Sequence, residues 1–125
     1  MAMDKSARKQ IIDQYKRQKV SMGVYQLRNK ENGKLFIESA NNLKSRELTL
    51  RMALDDGRHP NKMLQEDWKK HGPAAFEYSV LEEIEVEPDA PAAEKKRRLD
   101  EMKLLWLEEK EPFGEGGYNK PPKDG

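Results

Sequence analysis

Cysteine is absent from this chain, and histidine and long apolar runs are scarce. The 125 residues contain no cysteine and two histidines. The first absence excludes disulfides, thiolate metal sites and cysteine nucleophiles, and two histidines argue against a histidine-rich metal site. No apolar run approaches the roughly 20 residues of a membrane-spanning helix, and the first residues lack the apolar segment of a secretory signal. These absences predict a cytoplasmic protein that does not contact a membrane.

Charge is abundant and unevenly distributed along the chain. Charged residues make up 38% of the sequence and hydrophobic residues 35%, which predicts one compact core under a heavily charged surface. Residues 1–72 carry 16 Lys and Arg against 9 Asp and Glu, a net +7, whereas residues 73–125 carry 8 against 14, a net −6. The basic part favours contact with a polyanion, and the alternative is a solvated surface of mixed sign.

Turn residues and alternating side chains predict three strands. Residues 22–29 and 34–39 have strand patterns, and Asn32-Gly33 between them is a strong hairpin signal because both residues accept positive φ. From Phe76, apolar and polar side chains alternate as far as residue 84, which predicts a third strand with one buried face.

Three helices are predicted around these strands. The first runs from the candidate caps Asn41 and Asn42 to about residue 56, and a short second helix follows Pro60. The third covers residues 92–109, and its spacing predicts inward-facing side chains at Leu99, Met102, Leu105 and Trp106. The order β–β–α–α–β–α predicts an α+β fold, a small three-stranded antiparallel sheet flanked by helices.

The chain divides into three segments on this pattern. Residues 1–20 are predicted to form a basic amino-terminal helix, residues 21–119 the domain, and residues 120–125 a loose tail. The helix offers a nucleic-acid contact through its six basic side chains, Lys5, Arg8, Lys9, Lys16, Arg17 and Lys19.

Short motifs follow one another in order through residues 23–119. Gly23-Val24-Tyr25 is followed, after the Asn-Gly hairpin, by Phe36-Ile37-Glu38, and Arg46 stands on the next predicted helix. Further matches are His59, Asn61, Gln65, Trp68, Trp106-Leu107 and Gly117-Tyr118-Asn119. Over about three-quarters of the chain, the order and spacing of these motifs resemble the GIY-YIG nuclease family, whose element order is the one predicted above.

The resemblance implies metal-dependent hydrolysis of nucleic-acid phosphodiester bonds. Members of the family use a tyrosine near the attacking water, a second tyrosine, a phosphate-binding arginine and a glutamate that binds Mg²⁺ or Mn²⁺. Tyr25, Arg46 and Asn119 match functional positions of the family. The metal and the arginine neutralise developing charge while a polarised water attacks.

Four other matched positions depart from the family. Phe36 replaces the second tyrosine, Glu38 a glycine, and Leu50 a histidine often found one turn after the arginine. Lys103 stands where the metal-binding glutamate belongs, and an ammonium cannot ligate Mg²⁺. Asp100, about one helical turn earlier, is the nearest substitute for that glutamate. No metal ligand is therefore assigned.

The retained and altered residues also have structural interpretations. Tyr25 could be an ordinary aromatic of the sheet face, and Arg46 could pair with Glu38 instead of binding phosphate. Lys103 could be a solvated helix residue, or form an anion clamp with Arg46. The two remaining interpretations are that His59 caps a turn and that Asn119 ties down the tail.

The predicted function is a GIY-YIG-like domain with a degraded catalytic site that binds nucleic acid or phosphate with little or no hydrolysis. Two alternatives stay open: an active but atypical metal-dependent endonuclease, and a protein–protein interaction module. No cofactor is expected, although activity would require Mg²⁺ or Mn²⁺. Candidate partners are nucleic acid, another protein or a second copy of the chain. On the family fold, Tyr25 and Phe36 should be neighbours on adjacent strands, with Arg46 near both.

Overall fold

The computed structural model describes residues 19–121, whose centre is a three-stranded antiparallel sheet. The strands β1 (Val20–Asn29), β2 (Leu35–Ala40) and β3 (Phe76–Val86) lie in the order β2-β1-β3, so that β1 pairs with both neighbours. The helices are α1 (Arg46–Asp55), α2 (Lys62–His71) and α3 (Ala92–Lys110), with 3-10 turns at Pro73–Ala75 and Gly114–Gly116. The α+β class and the predicted order of elements are confirmed.

The β1–β2 hairpin turns at the predicted Asn-Gly pair. Gly33 has a φ of 77°, in the left-handed region that glycine adopts without steric cost. Its N–H donates to the carbonyl oxygen of Asn29 at 2.7 Å, and the Asn29 N–H donates to the carbonyl of Lys34 at 2.9 Å. The turn therefore sets the register in which Tyr25 lies opposite Glu38.

Both faces of the sheet are covered. Because side chains alternate along a strand, Tyr25 and Leu27 enter one core while Met22 and Val24 enter the other. The first core is completed by α1 and α2 through Leu50, Leu54, Leu64 and Trp68, and the second by α3 through Leu99, Met102 and Leu107. The sheet thus holds the helices of its two faces in fixed relation to β1.

Several predicted boundaries and faces were wrong. Helix α1 begins at Arg46 with Ser45 as its N-cap residue, because Asn42 instead closes a turn by accepting the Lys44 N–H at 2.9 Å. Strands β1 and β3 each extend two residues beyond prediction. Leu105, predicted to face inward, is 63% exposed, and Leu107 is buried in its place.

Two predicted segments lie largely outside the described residues. Of the helix predicted over residues 1–20, only Lys19 and Val20 are described: Lys19 is exposed and lies just before β1, and Val20 is the first residue of β1, so the predicted end of the helix was wrong. The end of the predicted tail, residues 122–125, is likewise not described. None of the helices within residues 19–121 combines the length and apolarity that crossing a bilayer requires.

Gly23 lies at a tight backbone contact between β1 and β3. A Cβ atom at this position would collide with the backbone carbonyl of Glu82. The β1–β3 register shifts immediately afterwards, between Val24 and Tyr25. The absence of a side chain at Gly23 therefore allows the pairing that positions Tyr25.

Replacing Gly23 with alanine is expected to lower the free energy of unfolding by about 1–3 kcal/mol, the usual cost of overpacking a tight contact. Urea denaturation measures the change. Gly33→Asn is the matched control, because nothing surrounds that position and asparagine tolerates its positive φ. An unfolding midpoint of Gly23→Ala equal to that of the wild type would contradict the close approach.

Candidate functional site

A cavity of about 830 Å³ opens at the β2 edge of the sheet, and we call it the cleft. Its walls come from β2, the turn before α2, the second half of α3 and the carboxy-terminal segment. The fold thereby brings together residues that are far apart in sequence, namely Phe36, Glu38, His59, Lys103 and Asn119. The other functional candidates of the sequence, Tyr25 and Arg46, lie outside its lining.

The cleft carries an excess of positive charge. Among the described residues, its lining includes Lys62, Lys103 and Lys120 but only one carboxylate, that of Glu38. His59 does not add to this charge at neutral pH, because burial lowers the pKa of its imidazole, although the nearby Glu38 acts in the opposite direction. A concave surface with three ammonium groups and one carboxylate attracts anions.

Glu38 and Lys103 form an ion pair inside the cleft. The Lys103 Nζ lies 2.8 Å from the Glu38 Oε1, and the side chains are 29% and 37% exposed. The same Glu38 oxygen accepts the N–H of Ser39 at 2.9 Å. The interpretation that Glu38 pairs with Arg46 was therefore wrong, and so was that of Lys103 as a freely solvated residue.

The residues of the cleft do not fit the Mg²⁺ or Mn²⁺ that the resemblance implies. In the part of the chain that the structure describes, Glu38 is the single carboxylate of the lining, and it is already bound to an ammonium group. Asp100, the nearest substitute on α3, lies 59% exposed and pairs with Lys96 at 2.8 Å. Within residues 19–121, no three histidine or acidic side chains converge as a metal site would need.

Tyr25 is buried in the first core, next to the cleft residue Phe36. Its ring centroid is 6.4 Å from that of Phe36 and 5.4 Å from that of Tyr78. Burial raises the pKa of Tyr25 far above its ordinary value, Glu38 raises it further, and Arg46 opposes the rise. The prediction that Tyr25 and Phe36 are neighbours is confirmed. The positive charge of Arg46 favours the ionised form of the Tyr25 hydroxyl.

Arg46 and Leu50 share α1 but differ in their surroundings. Leu50 is 5% exposed and belongs to the first core, as its structural interpretation predicts. Arg46 forms no ion pair within residues 19–121, and its buried Nε lacks a hydrogen-bond acceptor there. The guanidinium is therefore not held by a carboxylate of this part of the chain.

His59 and Asn61 shape the turn into α2. The Asn61 N–H donates to the His59 Nδ1 at 3.0 Å, and the Asn61 side chain accepts the Leu64 N–H at 3.0 Å. Asn61 is thus the helix cap, while His59 closes the turn before it and places its ring edge-on against Phe36, 5.2 Å between centroids. The interpretation of His59 as a turn-capping residue agrees with this geometry.

Asn119 ties the carboxy-terminal segment to β2. Its amide donates to the carbonyl of Ile37 at 2.7 Å and accepts the Ile37 N–H at 2.9 Å. The neighbouring Tyr118 hydroxyl donates to Asp67 at 2.7 Å and accepts from Asn29 at 3.0 Å. Burial, reinforced by Asp67, raises the pKa of Tyr118 to about 12. These bonds build the wall of the cleft that carries Lys120.

Three further residues bear on the site but were not predicted from the sequence. Lys62 and Lys120 line the cleft, and the available signal was that each directly follows a family-matched asparagine. Tyr78 stacks on Tyr25, and the alternation along the third strand had placed it on the buried face. No local pattern indicated what these side chains would contact.

The lowered pKa of His59 predicts that the stability of the fold depends on pH. Because the folded state disfavours the imidazolium, the unfolded chain binds a proton more readily, so the free energy of unfolding should fall as the pH drops below about 6.5. Urea titrations between about pH 5.5 and 7.5 should show a weaker pH slope for His59→Asn than for the wild type. Identical slopes, or an NMR pKa of His59 above 6.5, would contradict this.

Comparisons with known proteins agree on one family. Intron-associated endonuclease 1 of Enterobacteria phage T4 is 39% identical over 87 residues, which is 70% of this chain, although the chain spans only 32% of that protein. The catalytic domain of the homing endonuclease I-TevI matches with a TM-score of 0.64 at 31% identity, covering 81% of this chain and 99% of the domain.

A glutamate-to-alanine mutant of the catalytic domain of intron endonuclease I-TevI matches similarly, with a TM-score of 0.63 at 31% identity over 80% of this chain and 93% of that domain. No model of a known protein family matches the sequence. The two structural matches, each at 31% identity, extend over 93% and 99% of the matched catalytic domains. The chain therefore belongs to the GIY-YIG nuclease family.

Proposed function

We propose that this domain binds the sugar-phosphate backbone of nucleic acid in the cleft and hydrolyses it little or not at all. The observation that carries the proposal is the 2.8 Å pair of Lys103 and Glu38. Lys103 stands where the resemblance implies a metal-binding carboxylate, and its ammonium group is paired with Glu38. The pair is neutral and leaves no free carboxylate for a metal ion, so the positive charge of the cleft comes from Lys62 and Lys120.

Binding follows from the charges of the lining. Lys62 and Lys120 form no salt bridge within residues 19–121, so their ammonium groups can neutralise phosphates. Such contacts release condensed counterions and depend steeply on salt, but they carry no sequence information. The basic residues of the predicted amino-terminal helix would add further phosphate contacts of the same kind. Because the relatives are endonucleases, a nucleic acid is the polyanion that the comparisons favour.

Loss of hydrolysis follows from the groups that are missing or blocked. An in-line attack on a phosphodiester needs an activated water and neutralisation of developing charge. Phe36 has no hydroxyl, and burial raises the pKa of the Tyr25 hydroxyl further above its ordinary value, which makes its ionised form still less accessible. Lys103 repels a dication, and it forms an ion pair with Glu38, the only carboxylate of the cleft among the described residues. Arg46 remains, and one arginine can hold a phosphate without generating a nucleophile.

Neutralising the cleft lysines should weaken nucleic-acid binding. In fluorescence anisotropy with a labelled DNA duplex at about 50 mM NaCl, Lys62→Gln/Lys120→Gln should bind several-fold more weakly than the wild type. The slope of the logarithm of its binding constant against the logarithm of the salt concentration should also be smaller in magnitude by about 1 to 2, since each phosphate contact contributes about 0.9 to that slope.

Lys69→Gln/Lys70→Gln is the matched control for charge. These two lysines are exposed at the end of α2 and do not line the cleft. Equal losses in the two double variants would mean that overall charge, and not the cleft, governs binding. Absence of wild-type binding to DNA and RNA alike would favour the protein–protein module.

Supercoiled plasmid should stay intact with wild-type protein in Mg²⁺ or Mn²⁺, and calorimetry should detect no Mg²⁺ binding at millimolar concentration. The reason is electrostatic, because the dication would meet the Lys103 ammonium. Restoring the family residues in Glu38→Gly/Lys103→Glu should create measurable Mg²⁺ binding.

The single variant Glu38→Gly is the control, because it keeps the lysine and should not bind Mg²⁺. Wild-type nicking that disappears in Arg46→Ala would instead establish the active but atypical endonuclease. Circular dichroism of each variant confirms that the fold is retained.

A further inference from the structure

Strand β3 and the residues after it carry charge of one sign. Residues 76–94 contain seven Asp and Glu and no Lys or Arg, a net charge of −7. Four of these carboxylates are exposed and form no ion pair within residues 19–121, namely Glu77, Glu83, Glu85 and Glu87. Since β3 is an edge strand, this negative charge lies along one border of the sheet.

One end of the sheet face that holds the first core has no helix over it. Val80, Glu83 and Glu85 are the β3 partners of Tyr25, Gly23 and Ser21, so they lie on the face that Tyr25 shares with α1 and α2. Val80 is nevertheless 43% exposed, and both glutamates are exposed as well. We call the surface formed by Val80, Glu83 and Glu85 the acidic face.

Residues 1–18 join the sheet beside the acidic face. Val20, the first residue of β1, pairs with Val86 at the end of β3. The opposite side of β1 is occupied at this level, because the Leu43 N–H donates to the carbonyl of Ser21 at 2.9 Å. The chain that precedes β1 therefore has room on the β3 side.

Lys19 already lies among the carboxylates of that side. It lines a cavity of about 230 Å³ together with Glu85, Glu87 and Glu94. Lys95 and Arg98 line the same cavity, so its own charges balance, and the excess of negative charge lies along the strand. The first described residue of the chain thus leads toward the acidic face.

Residues 1–18 complement the acidic face in charge and length. They contain five Lys and Arg against two Asp, a net +3, and their predicted helical spacing groups Ile11, Ile12 and Tyr15 as apolar partners for Val80. Eighteen residues span about 27 Å as a helix, and the 11 residues of β3 span about 36 Å. The segment can therefore follow most of the strand.

We propose that residues 1–18 dock on the acidic face of their own chain, with basic side chains against Glu83 and Glu85 and apolar ones over Val80. Because the segment is tethered at Lys19, its effective concentration is of order millimolar, and contacts of modest strength suffice. A second copy of the chain fits less well, since two β3 strands side by side would bring like charges together.

Docking withholds the basic side chains of residues 1–18 from a polyanion in the cleft. This consequence rests on the proposed function. Duplex DNA carries one negative charge per about 1.7 Å of its axis, so it competes with the acidic face for the same side chains. Bound nucleic acid therefore displaces the segment, which then adds its own phosphate contacts.

A spin label tests the docking without nucleic acid. The chain contains no cysteine, so Ala2→Cys introduces a single thiol for a nitroxide, far in sequence from the tether at Lys19. In ¹⁵N-labelled protein, the amide signals of Val80 and Glu83 should be broadened, whereas that of the cleft residue Lys62 should not. Broadening at Lys62 instead of Val80, or at neither residue, would overturn the docking.

Charge reversal tests whether the acidic face is the partner. Glu83→Lys/Glu85→Lys should abolish the broadening, and adding Arg8→Glu/Lys9→Glu should restore it. The matched control is Glu108→Lys/Glu109→Lys, which reverses two exposed carboxylates at the end of α3 and should leave the broadening unchanged. Equal effects of the two reversals, or no restoration by the charge swap, would overturn the proposal.

Two further measurements separate the remaining outcomes. In a mixture of spin-labelled ¹⁴N protein and unlabelled ¹⁵N protein the broadening should be absent, and its presence would assign the acidic face to a second copy. Saturation with DNA duplex should remove the broadening at Val80. Broadening that persists in the DNA-bound protein would overturn the displacement alone. Absence of any DNA binding would overturn the proposed function together with the displacement, but not the docking measured by the spin label.

Discussion

The pairing of β1 with a strand on each side positions both cores and the cleft. The close contact of Gly23 with the Glu82 backbone allows it, and alternation along β1 then sends Tyr25 into one core and Val24 into the other. Helices α1 and α2 pack on the first face and α3 on the second. The cleft exists because β2, at the edge of this sheet, meets side chains that come from both faces.

The cleft is closed by hydrogen bonds from the carboxy-terminal segment. Asn119 binds the Ile37 backbone in both directions, and Tyr118 reaches Asp67 and Asn29 through its hydroxyl. These bonds join β1, β2, α2 and the chain end in one network. Asn119, which the family resemblance marks as a functional position, therefore has a structural role in this protein, since it ties the carboxy-terminal segment to β2.

Glu38 and Lys103 give the cleft a different set of charges from that implied by the family resemblance. A glycine and a glutamate would leave one free carboxylate beside the sheet, whereas Glu38 and Lys103 neutralise each other at 2.8 Å. The excess positive charge then comes from Lys62 and Lys120. Arg46 is left without an internal counterion among the described residues, which supports the proposal that the domain binds anions.

The hairpin at Asn32-Gly33, the order of the elements and the family positions could be predicted from the amino-acid sequence, because turn chemistry and motif spacing act within short windows of chain. The pairing of Glu38 with Lys103 instead of Arg46 and the exposure of Leu105 became visible only in the folded chain. The sequence also did not indicate that the Tyr78 hydroxyl would be buried without a hydrogen-bond partner within residues 19–121. Ion pairs and buried contacts between distant segments depend on ångström-scale distances, which are set by how α3 and the sheet pack and not by local preference.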